Sequence, residues 1–161
     1  KLAAERYVTV YSQLYGIRAT SLRLFSVYGP RQRKQVVYDL LVKLRANSEQ
    51  VVILGDGSQK RDFVYVLDVV QAMMLAATAA PGKGETYNVA SGTTHGIADL
   101  AQRWFAVCDL NPEIVFTGKV RPGDAQKWVV DLSKLRRLGF KPETSLEEGL
   151  VAIRDWYDAA S

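Results

Sequence analysis

Short apolar runs of strand length alternate with amphipathic helical stripes along the whole chain, and this alternation limits the fold more than any single motif does. The clearest run is Val51-Val52-Ile53-Leu54, stopped by Gly55-Asp56-Gly57-Ser58. Four apolar residues feeding a glycine turn read as a buried strand entering a tight loop. Asp62 to Val66 is a second short run, after which Val69, Val70, Met73, Met74 and Ala77 fall at helical spacing ahead of Pro81-Gly82. Earlier in the chain, Ala4, Tyr7, Val8, Tyr11, Leu14 and Tyr15 lie on one helical stripe closed by Gly16. Ala19 to Phe25 leans to strand up to a turn at Tyr28-Gly29-Pro30, and helical spacing returns from Gln35 to Arg45. Later, Thr86 to Val89 and Ile114 to Thr117 read as strands on either side of an amphipathic helix marked by Ile97, Leu100, Ala101, Trp104 and Cys108. Asp131 is placed to cap a short helix ending before Gly139. Ser145 with Glu148 forms a capping box ahead of a buried stripe of Leu146, Leu150, Ile153 and Tyr157. Strands alternating with helices predict an α/β fold. No repeat or low-complexity linker interrupts the pattern, so residues 1–161 are expected to act as one portion.

Composition narrows the function. With 48% hydrophobic and 24% charged residues the chain is ordinary globular protein, which excludes a disordered or fibrous one. One cysteine supplies neither an internal disulfide nor a zinc site. A net charge of +4 is mild and suits an anionic small ligand as well as nucleic acid. No window approaches the roughly 20 apolar residues that span a bilayer, and no leader pattern is present. No membrane partner is expected, and the cytoplasm is the expected compartment.

Three turn-rich segments carry basic residues: Gly29 to Lys34, Gly55 to Asp62, and Lys119 to Asp124. Taken singly each is a solvated loop. Taken together, arginines from separate loops suit a phosphate, whose oxygens the planar guanidinium fork binds in pairs. His95, the single histidine, reads as a capping or surface residue, and Cys108 as core. Tyr7, Trp104 and Tyr157 read as packing residues. Gly55-x-Gly57 is not a dinucleotide fingerprint, because no third glycine follows and a strand comes next. Gly82-Lys83-Gly84 lacks the rest of a phosphate-binding loop.

In order and at matching spacing, six stretches resemble the C-terminal half of the NAD-dependent epimerase/dehydratase family, the extended short-chain dehydrogenases acting on nucleotide sugars. They are Lys1 to Glu5, Leu22 to Gln32, Ile53 to Val66, Tyr87 to Val89, Arg121 to Asp124, and Leu138 to Pro142. The look is that of UDP-glucose 4-epimerase-like members. The resemblance implies the C-terminal part of a Rossmann-type fold with its small α/β substrate-binding lobe. It implies a 4-epimerase (an isomerase) or a dehydratase, with NAD as cofactor of the complete enzyme and a UDP-sugar or other nucleotide sugar as ligand.

Residue by residue, the resemblance gives Lys1 the place of a catalytic lysine that also binds the nicotinamide ribose. Ser26 stands where the family has an asparagine touching the sugar diphosphate, and Leu54 at a position lining the uracil. Arg61 and Arg121 take the places of two arginines gripping the diphosphate, Asp124 that of an acid near the nucleotide ribose, and Trp128 that of an aromatic near the substrate. The chain holds neither the family's glycine-rich βαβ unit nor a tyrosine four residues before Lys1. The dinucleotide-binding half is therefore expected to be missing, through a fragment or a truncated product. The chain alone is then expected to be catalytically incomplete and to bind no NAD. An uncovered edge on the Ala19 to Phe25 strand, together with a first helix that serves as a dimer interface in the family, implies a homo-oligomer. The rival reading is a non-catalytic binding or assembly module with a vestigial anion site. Nucleic acid is not an expected partner, since the positive charges are scattered without base-stacking aromatics.

Overall fold

The structure, a computed structural model, describes residues 1–119 and 129–160. Helices α1 (Leu2–Tyr15), α2 (Gln35–Ala46), α3 (Val66–Thr78), α4 (Ile97–Cys108), α5 (Ser133–Arg136) and α6 (Leu146–Ala160) alternate with seven short strands. These are β1 (Ala19–Leu24), β2 (Ser26–Tyr28), β3 (Gln50–Ile53), β4 (Lys60–Tyr65), β5 (Lys83–Val89), β6 (Thr94–Gly96) and β7 (Glu113–Phe116). The expected α/β alternation is present. The chain divides into two compact units, each assembled from three stretches. The first comprises Lys1–Val27, Val64–Gly92 and Val130–Glu143, and the second the described parts of Tyr28–Phe63, Thr93–Val129 and Thr144–Ser161. Because the chain passes back and forth between the units, no single point along it separates them, and no linker shows in the sequence.

In the first unit, β1 and β5 pair in parallel, Thr20 opposite Glu85 through Leu24 opposite Val89. A parallel pair needs a crossover connection, and the β1 to β5 path includes α3. Val64, Val69, Ala72, Ala80, Tyr87, Val89, Leu135 and Phe140 form its core. The N-cap position of α5 falls on Leu132 rather than on Asp131 as expected, and Asp131, one residue earlier, accepts through Oδ1 from the Ser133 amide at 2.8 Å. Lys134 Nζ donates to the Thr86 carbonyl at 2.9 Å and ties α5 to β5. Among the described residues β1 pairs only with β5, so its other edge has no strand partner there.

The first helix departs from expectation. Its tyrosine stripe is exposed, with Tyr7 and Tyr15 both 66% accessible, and only Ser12 of the helix is buried. The reason is local. The helix meets β5 through small polar residues, and the Thr9 hydroxyl donates to the Gly84 carbonyl at 3.1 Å, leaving the rings on the other side. Tyr7, Tyr11 and Tyr15 follow one another along the helix instead, the first pair of rings edge-on and the second tilted, with centroids 6.3 and 5.2 Å apart. Tyr7 is therefore not a core packing residue.

In the second unit, β3 pairs in parallel with β7 from Gln50–Glu113 to Ile53–Phe116. Lys60 to Asp62 of β4 pair antiparallel with β6, Arg61 opposite His95. β6 was not legible as a strand, because three residues carry no apolar run and the pairing depends on β4. Trp104 is fully buried, as the helical spacing requires, and its indole N–H donates to the Val37 carbonyl at 3.0 Å. Leu40, Leu41, Leu44, Leu100, Leu150 and Ile153 are buried in the same unit. Burial of each such side chain contributes about 1.5–3 kcal/mol. The capping box forms as read: Glu148 Oε2 accepts from the Ser145 amide at 2.8 Å, and the Ser145 hydroxyl accepts from the Glu148 amide at 3.2 Å. Tyr157, half-buried, packs against Tyr38 at 6.1 Å between centroids, and Cys108 is half-buried rather than fully core.

Candidate functional site

The second unit builds a pocket around the turn that follows β3. Asp56 Oδ1 accepts from the Ser58 hydroxyl at 2.7 Å and from its amide at 2.9 Å, closing the turn on itself. Those two donors hold the Asp56 carboxyl below the usual carboxylate range, the hydroxyl first. Gly57 has φ 77°, and a Cβ there would lie 2.5 Å from Phe116 Cε1, so the turn requires glycine at this position. The loop is pinned at both ends. The Gly55 amide donates to Thr117 Oγ1 at 3.1 Å, and the Ala98 and Ile97 amides at the start of α4 donate to the Gly57 and Gln59 carbonyls at 3.1 and 3.0 Å.

A cavity of about 370 Å³ lies against this loop, within the size range of small-molecule sites. Gln35, Val36, Asp39, Leu40 and Lys43 wall it from α2, and Ile53 and Leu54 from β3 and its end. Gln59, Arg61, Ile97 and Lys119 complete the lining. Gln35, Asp39 and Lys43 recur at four-residue steps and so share one face of α2. Lys43 is committed locally: its Nζ lies 2.9 Å from Asp39 Oδ2 and donates to the Val52 carbonyl at 3.1 Å. Arg61 and Lys119 add two more cationic side chains to a lining that is otherwise largely aliphatic. Such a site suits a ligand with a flat or apolar part and an anionic part.

Of the residues named from sequence, Leu54 and Arg61 come together here. Leu54, 41% exposed, follows the end of β3, and Arg61, half-buried in β4, donates through Nη1 to the Lys60 carbonyl at 3.0 Å. Arg121, Asp124 and Trp128 lie outside the described residues. Lys1 and Ser26 belong to the first unit: Lys1 is exposed ahead of α1, where its carbonyl accepts from the Glu5 amide at 3.0 Å, and Ser26 is half-buried at the start of β2. The α2 face and Lys119 were missed. The four-residue recurrence of polar side chains beside Val36 and Leu40 was the available signal for the first. Lys119 was noted only as part of a basic loop.

His95 is neither a cap nor a plain surface residue. Its Nδ1 lies 2.9 Å from Asp99 Oδ2, which also accepts from Arg103 Nε at 3.0 Å, while Arg103 pairs with Glu147 of α6. Burial pushes the Asp99 carboxyl up, but the bonds from Arg103 and His95 outweigh it and leave the group below its ordinary value. Among the described residues no His, Cys, Asp and Glu cluster could hold a metal ion, and no helix is long and apolar enough to cross a membrane. The first unit has its own cavity, of about 310 Å³, lined by Arg18 and otherwise mainly by small or apolar residues such as Leu22, Met73 and Ala76. One cation makes it the poorer anion site.

Comparison with known proteins gives the family. Residues 1–90 match the model of the NAD dependent epimerase/dehydratase family. The chain is 34% identical over 164 residues to a putative UDP-glucose 4-epimerase of Methanocaldococcus jannaschii, covering 97% of this chain and 51% of that protein. It superposes with TM-score 0.87 and 32% identity on the crystal structure of a Thermotoga maritima UDP-glucose 4-epimerase with UDP-glucose, covering 99% of this chain and 52% of that one. The UDP-glucuronic acid 4-epimerase of Bacillus cereus, solved with UDP-glucuronic acid and NAD, gives TM-score 0.87 at 29% identity, covering 100% and 52%. The chain thus spans about half the length of the relatives it matches.

Proposed function

Because the chain belongs to the NAD dependent epimerase/dehydratase family, we propose that it is the nucleotide-sugar-binding portion of a UDP-sugar epimerase or dehydratase acting in the cytoplasm. The observation that carries this reading is the juxtaposition of Arg61 and Lys119 on one cavity with an aliphatic floor of Val36, Leu40, Ile53, Leu54 and Ile97. The floor takes the nucleoside and the cations take the diphosphate. Two cations from separate segments serve a doubly charged group better than one, since each added charge-assisted hydrogen bond contributes about 1.5–3 kcal/mol. By the family resemblance, Arg121, Asp124, Trp128 and Ser26 are also assigned to substrate binding.

The chain's fit to NAD is partial. Lys1, exposed at the start of α1, carries three N–H donors that suit the hydroxyls of the nicotinamide ribose. No G-x-G-x-x-G turn occurs in the sequence to hold the dinucleotide pyrophosphate. The chemistry NAD supplies when bound is the uptake and return of a hydride. This chain's own part is to hold the nucleotide end, through Arg61 and Lys119, so that the sugar stays in register with that chemistry. On its own the chain binds no NAD.

Calorimetric titration with UDP tests the reading. Wild type binds, and Arg61→Ala weakens binding by about 10- to 100-fold with the fold retained. No binding by the wild type, or equal binding by the variant, overturns it. The exposed Tyr7, Tyr11, Leu14 and Tyr15 face of α1 serves a second copy of the chain. Light scattering should give a mass above the monomer's, and a monomer mass at micromolar concentration rejects that part.

A further inference from the structure

Gln35 stands apart from the other residues of the cavity wall. It opens α2 with φ 71°, the left-handed region that a residue with a Cβ adopts only at a cost, and Arg31 in the same short segment has φ 70°. Nothing local repays that conformation through the side chain. The Gln35 carboxamide is exposed and makes no hydrogen bond among the described residues, and α2 has no side-chain cap. The strained backbone nevertheless delivers the side chain to the cavity, one residue ahead of Val36 and one turn ahead of Asp39. Asp39 and Lys43 on the same face are occupied with each other, and Lys43 also with the Val52 carbonyl. Gln35 is therefore the uncommitted neutral polar group on the α2 wall, and it carries both a donor and an acceptor.

We propose that Gln35 is the residue of this chain that reads the polar edge of the nucleobase, its carboxamide pairing with a donor and an acceptor of a base laid against Val36, Leu40 and Ile53. This rests on the reading of the cavity as a nucleoside diphosphate site. The chemistry matches: a pyrimidine imide edge presents an N–H beside a carbonyl, and a carboxamide answers both. The charged groups, Arg61 and Lys119, are matched to the phosphates instead. The left-handed backbone at Gln35 is then retained for ligand contact at the expense of stability.

Two substitutions separate the side chain's work from the backbone's. Gln35→Gly removes the carboxamide and relieves the positive φ; Gln35→Ala removes the carboxamide and keeps a Cβ in the strained conformation. Calorimetry with UDP and with inorganic pyrophosphate, alongside thermal denaturation, reads both effects. Loss of the paired hydrogen bonds should weaken UDP binding by about 5- to 10-fold in both variants. Pyrophosphate binding stays at the wild-type value. Tm rises by roughly 2–4 °C in the glycine variant and does not rise in the alanine variant. Equal UDP affinity in wild type and both variants overturns the proposal while leaving the cavity reading intact. Weakening only in the glycine variant also overturns it, because the effect is then backbone flexibility. Failure of wild type to bind UDP at all counts against the cavity reading itself.

Discussion

Gly149 sits inside α6, where alanine is ordinarily the better residue by about 1 kcal/mol. The structure reverses that preference. A Cβ at Gly149 would lie 2.3 Å from the Tyr28 hydroxyl oxygen, 2.6 Å from Cε2 and 2.7 Å from Cζ. The ring cannot step aside freely: Tyr28 is 2% exposed, its hydroxyl donates to the Ser145 carbonyl at 3.3 Å, and Phe63 packs edge-on at 6.4 Å. Forcing an extra methyl into such packing costs about 1–3 kcal/mol, occasionally more, and contacts this short belong at the upper end. Setting that against the helix propensity leaves Gly149→Ala destabilising by about 1–2 kcal/mol, or roughly 2–8 °C in Tm for a chain of this size. Urea and thermal denaturation of wild type and variant measure it directly. In a Tyr28→Ala background the clash is gone, so the same substitution should turn neutral or stabilising. A Gly149→Ala chain more stable than wild type would refute the reasoning, since propensity would then have outweighed packing.

Stability should also depend on acid. Asp99, Asp131 and Glu148 are all held below their ordinary values, Glu148 by the hydroxyl and amide of Ser145 and Asp131 by the Ser133 amide and hydroxyl. Depressed carboxylates take up protons more readily when unfolded, so their stabilisation is complete above about pH 5 and is lost as pH falls through the folded values. Tm should stay level from about pH 7 to 5 and drop below about pH 4; a Tm that climbs on acidification contradicts the assignment. Lys119→Ala should weaken UDP binding by about 3- to 10-fold and Lys119→Arg should retain it, both by calorimetry. Added salt should weaken wild-type binding too, because Lys119 is exposed and screened. Binding indifferent to both Lys119→Ala and added salt removes Lys119 from the site.

The sequence announced its helices well because their signals are local. Trp104 and Leu100 recur at helical spacing, and Ser145 and Glu148 are near enough along the chain to cap one another. It announced β3 and β7 for the same reason, as unbroken apolar runs. β6 was hidden because His95 becomes a strand residue only through Arg61, which is distant in sequence. Tyr7 misled because an apolar stripe tells which side of a helix can be buried, and here the buried contact runs through Thr9 and Ser12 instead. The cavity was half legible. Arg61 and Leu54 were named through the family resemblance of the Ile53 to Val66 stretch. Gln35 was not, because its significance lies in a backbone angle and a neighbouring wall that no spacing rule encodes.

Chemical-shift mapping of the chain during titration with UDP tests the central claim most directly. The nucleotide is assigned to the second unit's cavity, so backbone and methyl shifts should concentrate on Ile53, Leu54, Arg61, Ile97 and Lys119. They should saturate together, and Arg61→Ala should shift the curve to higher UDP. Perturbations confined to the first unit, at Leu22, Ala76 and their neighbours around Arg18, would place the ligand elsewhere and contradict the assignment.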